Sequence, residues 1–251
     1  MNIVVPIKLV PDLVEELEIN DEATDLERDF LTYRINEFDD HAIEEALQLK
    51  EAHGGSVAVV ALEREETDKV LYTALAKGAD KAVKITGLDE DASSHTAAKA
   101  MCKVLGDMEY DVVLTGVQAA DDRDGQLGVL MASYLSIPHV SVVSDIAIAG
   151  DKLTLHKEYS GGVMASFEVT PKVLLGVQAA RQTPRYAPVS RVRQIMKEAE
   201  LDEVEVEAEP GAGSIVRRMY TPEKGEGAEM LDGSTEEIAG KIAALLNEKK
   251  G

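Results

Sequence analysis

From residue 3 to residue 143 the chain repeats one pattern, a short apolar run followed by a longer stretch whose apolar positions recur at helical spacing. Parallel strands need a crossover between them, usually a helix, so this alternation restricts the fold to a doubly wound α/β sheet. Ile3–Ile7, Val57–Leu62, Lys81–Ile85, Asp111–Leu114 and Val140–Val143 read as strands. Several are nearly continuous in Val, Ile, Leu and Ala, as strands buried on both faces are. Between them, helices are expected from His41 onward, over 66–77, over 93–105 and over 128–135. In the first of these, Ala42, Ile43, Ala46, Leu47 and Leu49 form the apolar stripe. Asp39 or Asp40 is its expected cap and Gly54–Gly55 its stop.

After residue 145 the rhythm changes. Ile146–Leu155 reads as two short strands around a Gly150–Asp151 turn, Tyr159–Gly162 as another turn, and Ala165–Val169 alternates. These pieces predict an antiparallel hairpin layer inserted in the same domain, and Val173–Val177 is apolar enough to return to the main sheet. Beyond Pro184 the chain stops resembling a core. Residues 198–209 hold seven carboxylates among twelve positions, and 211–233 are rich in Gly and charge. A last helix over Thr235–Asn247 carries Ile238, Ile242, Leu245 and Leu246 on one side, a stripe that needs a surface to cover it. The expected division is an α/β domain over 1–195 and an extended C-terminal arm ending in a helix over 196–251.

Composition removes several function classes. The 251 residues carry 26 Lys plus Arg against 47 Asp plus Glu, a formal charge of −21. Such a field repels polyanions, so nucleic acid and anionic membrane surfaces are poor partners. With no Trp and only three Phe, base-stacking platforms are not expected. Cys102 is the single cysteine, and the five histidines form no metal-ligand spacing, so no metal site is expected. MNIVVPIK lacks the pattern of a secretory signal and no stretch has the length of a membrane span, which makes a cytoplasmic location the expectation.

Three places fit a nucleotide site: the first strand end at Ile7–Val10, the Asn36–Asp39 segment, and the loop Gly116–Gly128. The loop follows a strand and precedes a helix, where open α/β sheets bind ligands. Gly125 and Gly128 allow close backbone approach, and the helix start offers unpaired N–H groups to a phosphate. It is neither a Walker loop nor G-x-G-x-x-G, and Asp121, Asp122 and Asp124 disfavour a highly charged ligand. The same residues would equally serve a plain loop that caps a helix. No catalytic constellation is present in the sequence, so no catalytic residue is assigned and a binding or carrier role is expected.

Five ordered segments resemble the beta subunits of electron-transfer flavoproteins: IVVPIKLVPD (3–12), YRINEFDDHAIEEALQLKE (33–51), ALAKGADKAV (74–83), DVVLTGVQAADDRDGQLG (111–128) and TPRYAPVSRVRQIMK (183–197). The tail, 216–251, is similar to that of the type serving trimethylamine dehydrogenase. The resemblance implies a nucleotide-binding α/β domain whose arm wraps an alpha subunit. It implies FAD held mainly by that alpha subunit, AMP held in this chain, and a donor dehydrogenase as second partner.

Carried over by position, the AMP contacts would be Pro6, Asn36, Glu37, Phe38, Asp39, Leu62, Gly116, Val117, Gln118, Ala119, Ala120, Asp121, Asp122, Arg123, Asp124, Gly125, Gln126 and Leu127. The family's usual Thr is Leu127 here, its usual Asn is Gly125, and its usual Ala is Pro6, so a phosphate would depend more on backbone amides and on Gln126. Leu13 stands where some relatives place a Tyr over the flavin ring. Val189 corresponds to the family's partner-docking leucine. Two other roles stay open: the FAD-binding subunit of an NADH-dependent electron-bifurcating flavoprotein, and a freestanding AMP-binding regulatory protein.

Overall fold

The computed structural model describes residues 1–89, 92–207, 209, 213–223, 225 and 227–249. Its strands are β1 (Asn2–Pro6), β2 (Leu9–Pro11), β3 (Tyr33–Ile35), β4 (Ser56–Leu62), β5 (Lys81–Thr86), β6 (Val112–Gly116), β7 (His139–Ala149), β8 (Lys152–Tyr159), β9 (Val163–Val169), β10 (Val173–Val177) and β11 (Asp202–Glu205). Its helices are α1 (Glu37–His53), α2 (Thr67–Lys77), α3 (Ser94–Gly106), α4 (Leu127–Leu135), α5 (Val189–Glu198) and α6 (Thr235–Glu248).

Among the described residues one large sheet runs β11-β5-β4-β1-β6-β10-β7-β8-β9, and β2 pairs with β3 in a separate two-stranded ladder. From β11 to β7 every pairing is parallel, and β7–β8–β9 is antiparallel. The period of two along each strand sorts the core into two layers. Ile3, Val5, Val57, Val59, Val112, Leu114, Val173 and Leu175 face a cluster completed by Ala42, Ile43, Leu47 and Leu71 of α1 and α2. Val4, Ala58, Val60, Val83, Val113 and Leu174 face the opposite one, with Met101, Leu105, Met131 and Ala132 of α3 and α4. Helices therefore cover both faces of the parallel region, as its continuous apolar strands require. Each such Val, Leu or Ile stabilises the fold by about 1.5–3 kcal/mol relative to exposure.

The structure departs from the sequence expectations at three places along these elements. The expected antiparallel hairpin around Gly150–Asp151 is present and extends the main sheet through β8 and β9, but β7 is one long strand, with a register shift between Val143 and Asp145, where two strands were expected. β10 returns between β6 and β7, as expected. Within the acidic stretch 198–209, β11 pairs in parallel with β5. Lys81 reaches Asp202 at 2.7 Å, Lys84 reaches Glu203 at 2.7 Å, and Val206 is buried at 3% exposure. Cross-strand lysines thus offset the carboxylate repulsion that made the segment look marginal. Asp39 is no helix cap, since the cap position falls on Asn36 and Asp39 is buried in the first turn.

The chain forms two compact units. The first comprises Met1–Glu18 and Leu26–Ile215, so it takes in residues 196–215, which the sequence reading gave to the arm. The second comprises Ile19–Asp25 and Val216–Gly251. Its helix α6 starts with a reciprocal capping box: Ser234 Oγ accepts from Glu237 N–H, and Glu237 accepts from Ser234 N–H. No α6 residue is buried, and Ile242, Leu245 and Leu246 are all exposed. Of the irregular segment expected over 211–233, residues 211, 212, 224 and 226 lie outside the described residues.

Candidate functional site at the carboxyl ends of β1, β4 and β6

The strand order reverses direction between β1 and β6, since β4 and β5 build outward on one side and β10 and β7 on the other. At such a switch point the loops leaving adjacent strands diverge and open a crevice. Here that crevice encloses about 740 Å³ of space open to solvent. It is lined by Ile7, Lys8 and Leu9 where β1 leads into β2, by Asn36 and Asp39 at the start of α1, and by Leu62 and Arg64 at and just after the end of β4. Ala92, Ser94, Ala97 and Met101 add the α3 side. The loop after β6 contributes Gly116, Val117, Gln118, Ala119, Asp122, Asp124, Gly125, Gln126 and Leu127.

Two buried polar residues at the start of α1, its N-cap Asn36 and Asp39 of its first turn, fix the geometry. Asp39 Oδ2 accepts from the Lys8 amide at 2.8 Å and Oδ1 from the Gly116 amide at 3.0 Å, tying the ends of β1 and β6 to the helix. Burial pushes the Asp39 carboxyl up to about 7, against the lowering effect of those amides, of Asn36 and of the Lys8 ammonium. Asn36 donates to the Gln118 carbonyl at 2.9 Å and accepts from the Ala120 amide at 3.2 Å. Gly116 has to be glycine: a Cβ there would sit 2.4 Å from Asp39 Oδ1 and 2.7 Å from Phe38 Cβ.

The loop consumes much of its own charge. Lys8 Nζ bridges Asp121 at 2.8 Å and Asp122 at 2.6 Å. Asp122 accepts from the Asp124 amide at 2.9 Å, and Asp124 accepts from Ser94 Oγ at 3.2 Å, joining the loop to α3. The start of α4 is left open. Gln126 provides no side-chain cap, and the amides of Gly125 through Val129 meet no acceptor among the described residues, whereas α3 is capped by Ser93. Gly125 takes φ +64°, a conformation glycine adopts without strain. Unpaired amides at a helix start, beside a flexible backbone, form an anion-accepting edge.

The sequence reading is realised unevenly. Asn36, Asp39, Leu62 and most of Gly116–Leu127 converge on the cleft. Pro6 instead lies in β1, paired with Val60, and the lining begins one residue later. Leu13 sits in the turn after β2, is 61% exposed and does not line the cleft. Glu37, Phe38, Ala120, Asp121 and Arg123 are not among the lining residues, although Phe38 lies against Gly116 and Asp121 holds Lys8. Arg64, Ser94, Ala97 and Met101 were missed. The usable signal was positional, because loops after the strands next to β1 must border the same crevice.

Val189 is the first residue of α5 and is 58% exposed, beside an exposed Tyr186. The segment leading to it is strapped to the outer face of α1. Arg185 makes hydrogen bonds of 2.9 and 3.0 Å to Glu44 and of 2.5 Å to Glu51, and Arg181 reaches Glu45 at 3.2 Å.

Fold and cleft together define a doubly wound α/β domain with a crevice at its switch point. The family model described as "Electron transfer flavoprotein domain" matches residues 26–209. The chain belongs to the electron transfer flavoprotein family, and an electron-transfer role follows from that membership. It is similar to the protein named "Electron transfer flavoprotein subunit beta" of Methylophilus methylotrophus, at 35% identity over 100% of both chains. Proteins of the same name match from Clostridium acetobutylicum, at 34% identity over 99% of each chain, and from Bacillus subtilis, at 31% over 99% of this chain and 98% of the relative. No helix among the described residues is long and apolar enough to cross a membrane.

Proposed function

We propose that this chain is the beta subunit of an alpha–beta heterodimer that shuttles electrons, in the cytoplasm, from a dehydrogenase to a downstream acceptor. In this reading FAD is held mainly by the alpha subunit and supplies the redox chemistry. This chain holds AMP in the switch-point cleft, braces the subunit interface and presents Val189 to the donor dehydrogenase.

The observation that carries the AMP assignment is the set of unpartnered amides from Gly125 to Val129 at the uncapped start of α4. A monophosphate there gains several N–H donors and the positive end of the helix dipole. The neighbouring carboxylates set the limit. Lys8 offsets one of the two charges of Asp121 and Asp122 and Asp124 is turned to Ser94, so one phosphate is accommodated where a longer polyphosphate would meet repulsion. Asp39 and Asn36 hold the loop in place without spending side-chain donors on the ligand. A bound nucleotide would therefore lock β1, α1 and the β6–α4 loop together, a structural role consistent with a carrier subunit.

The exposed apolar side chains of the second unit, Val216, Tyr220, Met230, Ile242, Leu245 and Leu246, support a partner-binding arm. Mixing the purified chain with its cognate alpha subunit tests the reading. The expected result is a one-to-one complex that retains FAD through gel filtration, while the isolated chain elutes colourless. A chain that binds flavin stoichiometrically alone, or ignores the alpha subunit, would contradict it.

A further inference from the structure

Arg64 stands out among the cleft residues. It is half-buried and lines the crevice, yet its guanidinium makes no hydrogen bond, ion pair or ring contact among the described residues. The other lining cation, Lys8, is already held by Asp121 and Asp122. The turn that carries Arg64 is preorganised by the buried Thr67, whose Oγ1 donates to the Leu62 carbonyl at 3.1 Å and accepts from the Arg64 amide at 2.8 Å. Glu63 N–H is fixed to the Ile85 carbonyl at 2.7 Å. An unpaired arginine on a rigid turn, facing a cleft, is placed for a ligand.

Its place in the strand order says which part of the ligand. Arg64 follows β4 and the free amides follow β6, with β1 between them, a separation of roughly 10 Å from two strand spacings. A mononucleotide whose phosphate rests on the α4 amides extends its base across β1 toward β4. The wall there is apolar, with Leu62, Ala97 and Met101. A flat aromatic base fits such a wall, and a planar guanidinium stacks on its face.

We propose that Arg64 is the base-contacting residue of the cleft, covering a purine ring against the Leu62–Met101 wall while the α4 amides take the phosphate. This rests on the cleft being a nucleotide site. Heterodimers carrying the parent chain, Arg64→Ala, Arg64→Gln or Arg64→Lys, dialysed free of nucleotide, are titrated calorimetrically with AMP and, in competition with it, with ribose 5-phosphate. Removing the guanidinium should weaken AMP roughly two- to thirtyfold while leaving ribose 5-phosphate unchanged. Arg64→Lys should recover only part of the loss, because an ammonium keeps the charge without the plane. Arg64→Gln serves if Arg64→Ala fails to assemble. An equal loss for both ligands would place Arg64 on the phosphate and overturn the proposal, as would unchanged AMP affinity. A parent heterodimer that binds neither ligand would instead overturn the nucleotide reading itself, and this proposal with it.

Discussion

Gly116→Ala tests the junction that builds the cleft. The added methyl carbon would lie 2.4 Å from Asp39 Oδ1, 2.7 Å from Phe38 Cβ and 2.8 Å from the Phe38 carbonyl carbon. Non-bonded carbons prefer about 3.5–4.0 Å, so α1 must retreat from the end of β6 by about 1 Å. That movement stretches the 3.0 Å Gly116–Asp39 hydrogen bond past its working range. Above about pH 7, where Asp39 is ionised, a hydrogen bond to its carboxylate contributes about 1.5–3 kcal/mol, and overpacking costs about 1–3 kcal/mol. The expected destabilisation is therefore about 3–5 kcal/mol. Asn36 moves with the same helix, so its bonds to Gln118 and Ala120 weaken and nucleotide retention should fall with stability. Gly106→Ala is the control, at the last position of α3 with nothing within 4 Å of the added carbon. It should be neutral or stabilising by about 0.5–1 kcal/mol. Urea unfolding of both variants as heterodimers, at one protein concentration, gives the comparison. At a slope near 3 kcal/mol/M the Gly116 variant should lose about 1–1.7 M in midpoint. A midpoint like the parent's with nucleotide content intact would refute the reasoning.

Three further outcomes are expected. Ending the chain after Ile215 should leave the α/β unit folded by circular dichroism and abolish alpha-subunit binding by gel filtration, because the exposed apolar residues of α6 are removed. Val189→Asp should change stability by less than about 0.5 kcal/mol, since the side chain is 58% exposed, yet slow reduction of the heterodimer by its dehydrogenase in stopped-flow mixing. Burial raises the Glu44 pKa, but hydrogen bonds from Arg185 and Gln48 outweigh it and hold the carboxyl below its ordinary value of 4.5. Glu44 therefore contributes stability above about pH 4.5 that is lost as pH falls through the lowered folded value. Glu44→Gln should cost about 1–3 kcal/mol at pH 7 and flatten acid unfolding below pH 5, read by fluorescence-monitored melts.

The parallel sheet was legible because each strand is buried on both faces and each helix carries its own stripe, so local pattern and tertiary position agree. β11 was not legible. Its Asp202 and Glu203 are tolerated through Lys81 and Lys84, more than a hundred residues away, and no local window contains both partners. The β7 register shift joined two strands that looked separate, for the same reason: the partner strands β10 and β8 determine where the ladder continues. At the cleft, residues of the β6–α4 loop were found because glycines and a helix start lie together in sequence. Asp39 was misread as a cap, since a carboxylate beside a helix start looks alike whether it accepts from its own turn or from Lys8 and Gly116. Arg64 was missed because its relation to that loop exists only through the strand order β4-β1-β6.

The central claim is that this chain serves as a carrier subunit whose cleft holds a mononucleotide while flavin is held elsewhere in the heterodimer. Denaturing the purified heterodimer and quantifying the released nucleotides by chromatography tests it most directly. One FAD and one AMP per dimer is the predicted result. Two FAD per dimer would put a flavin in this cleft and contradict the account, and one FAD without AMP would remove the nucleotide from the switch-point site.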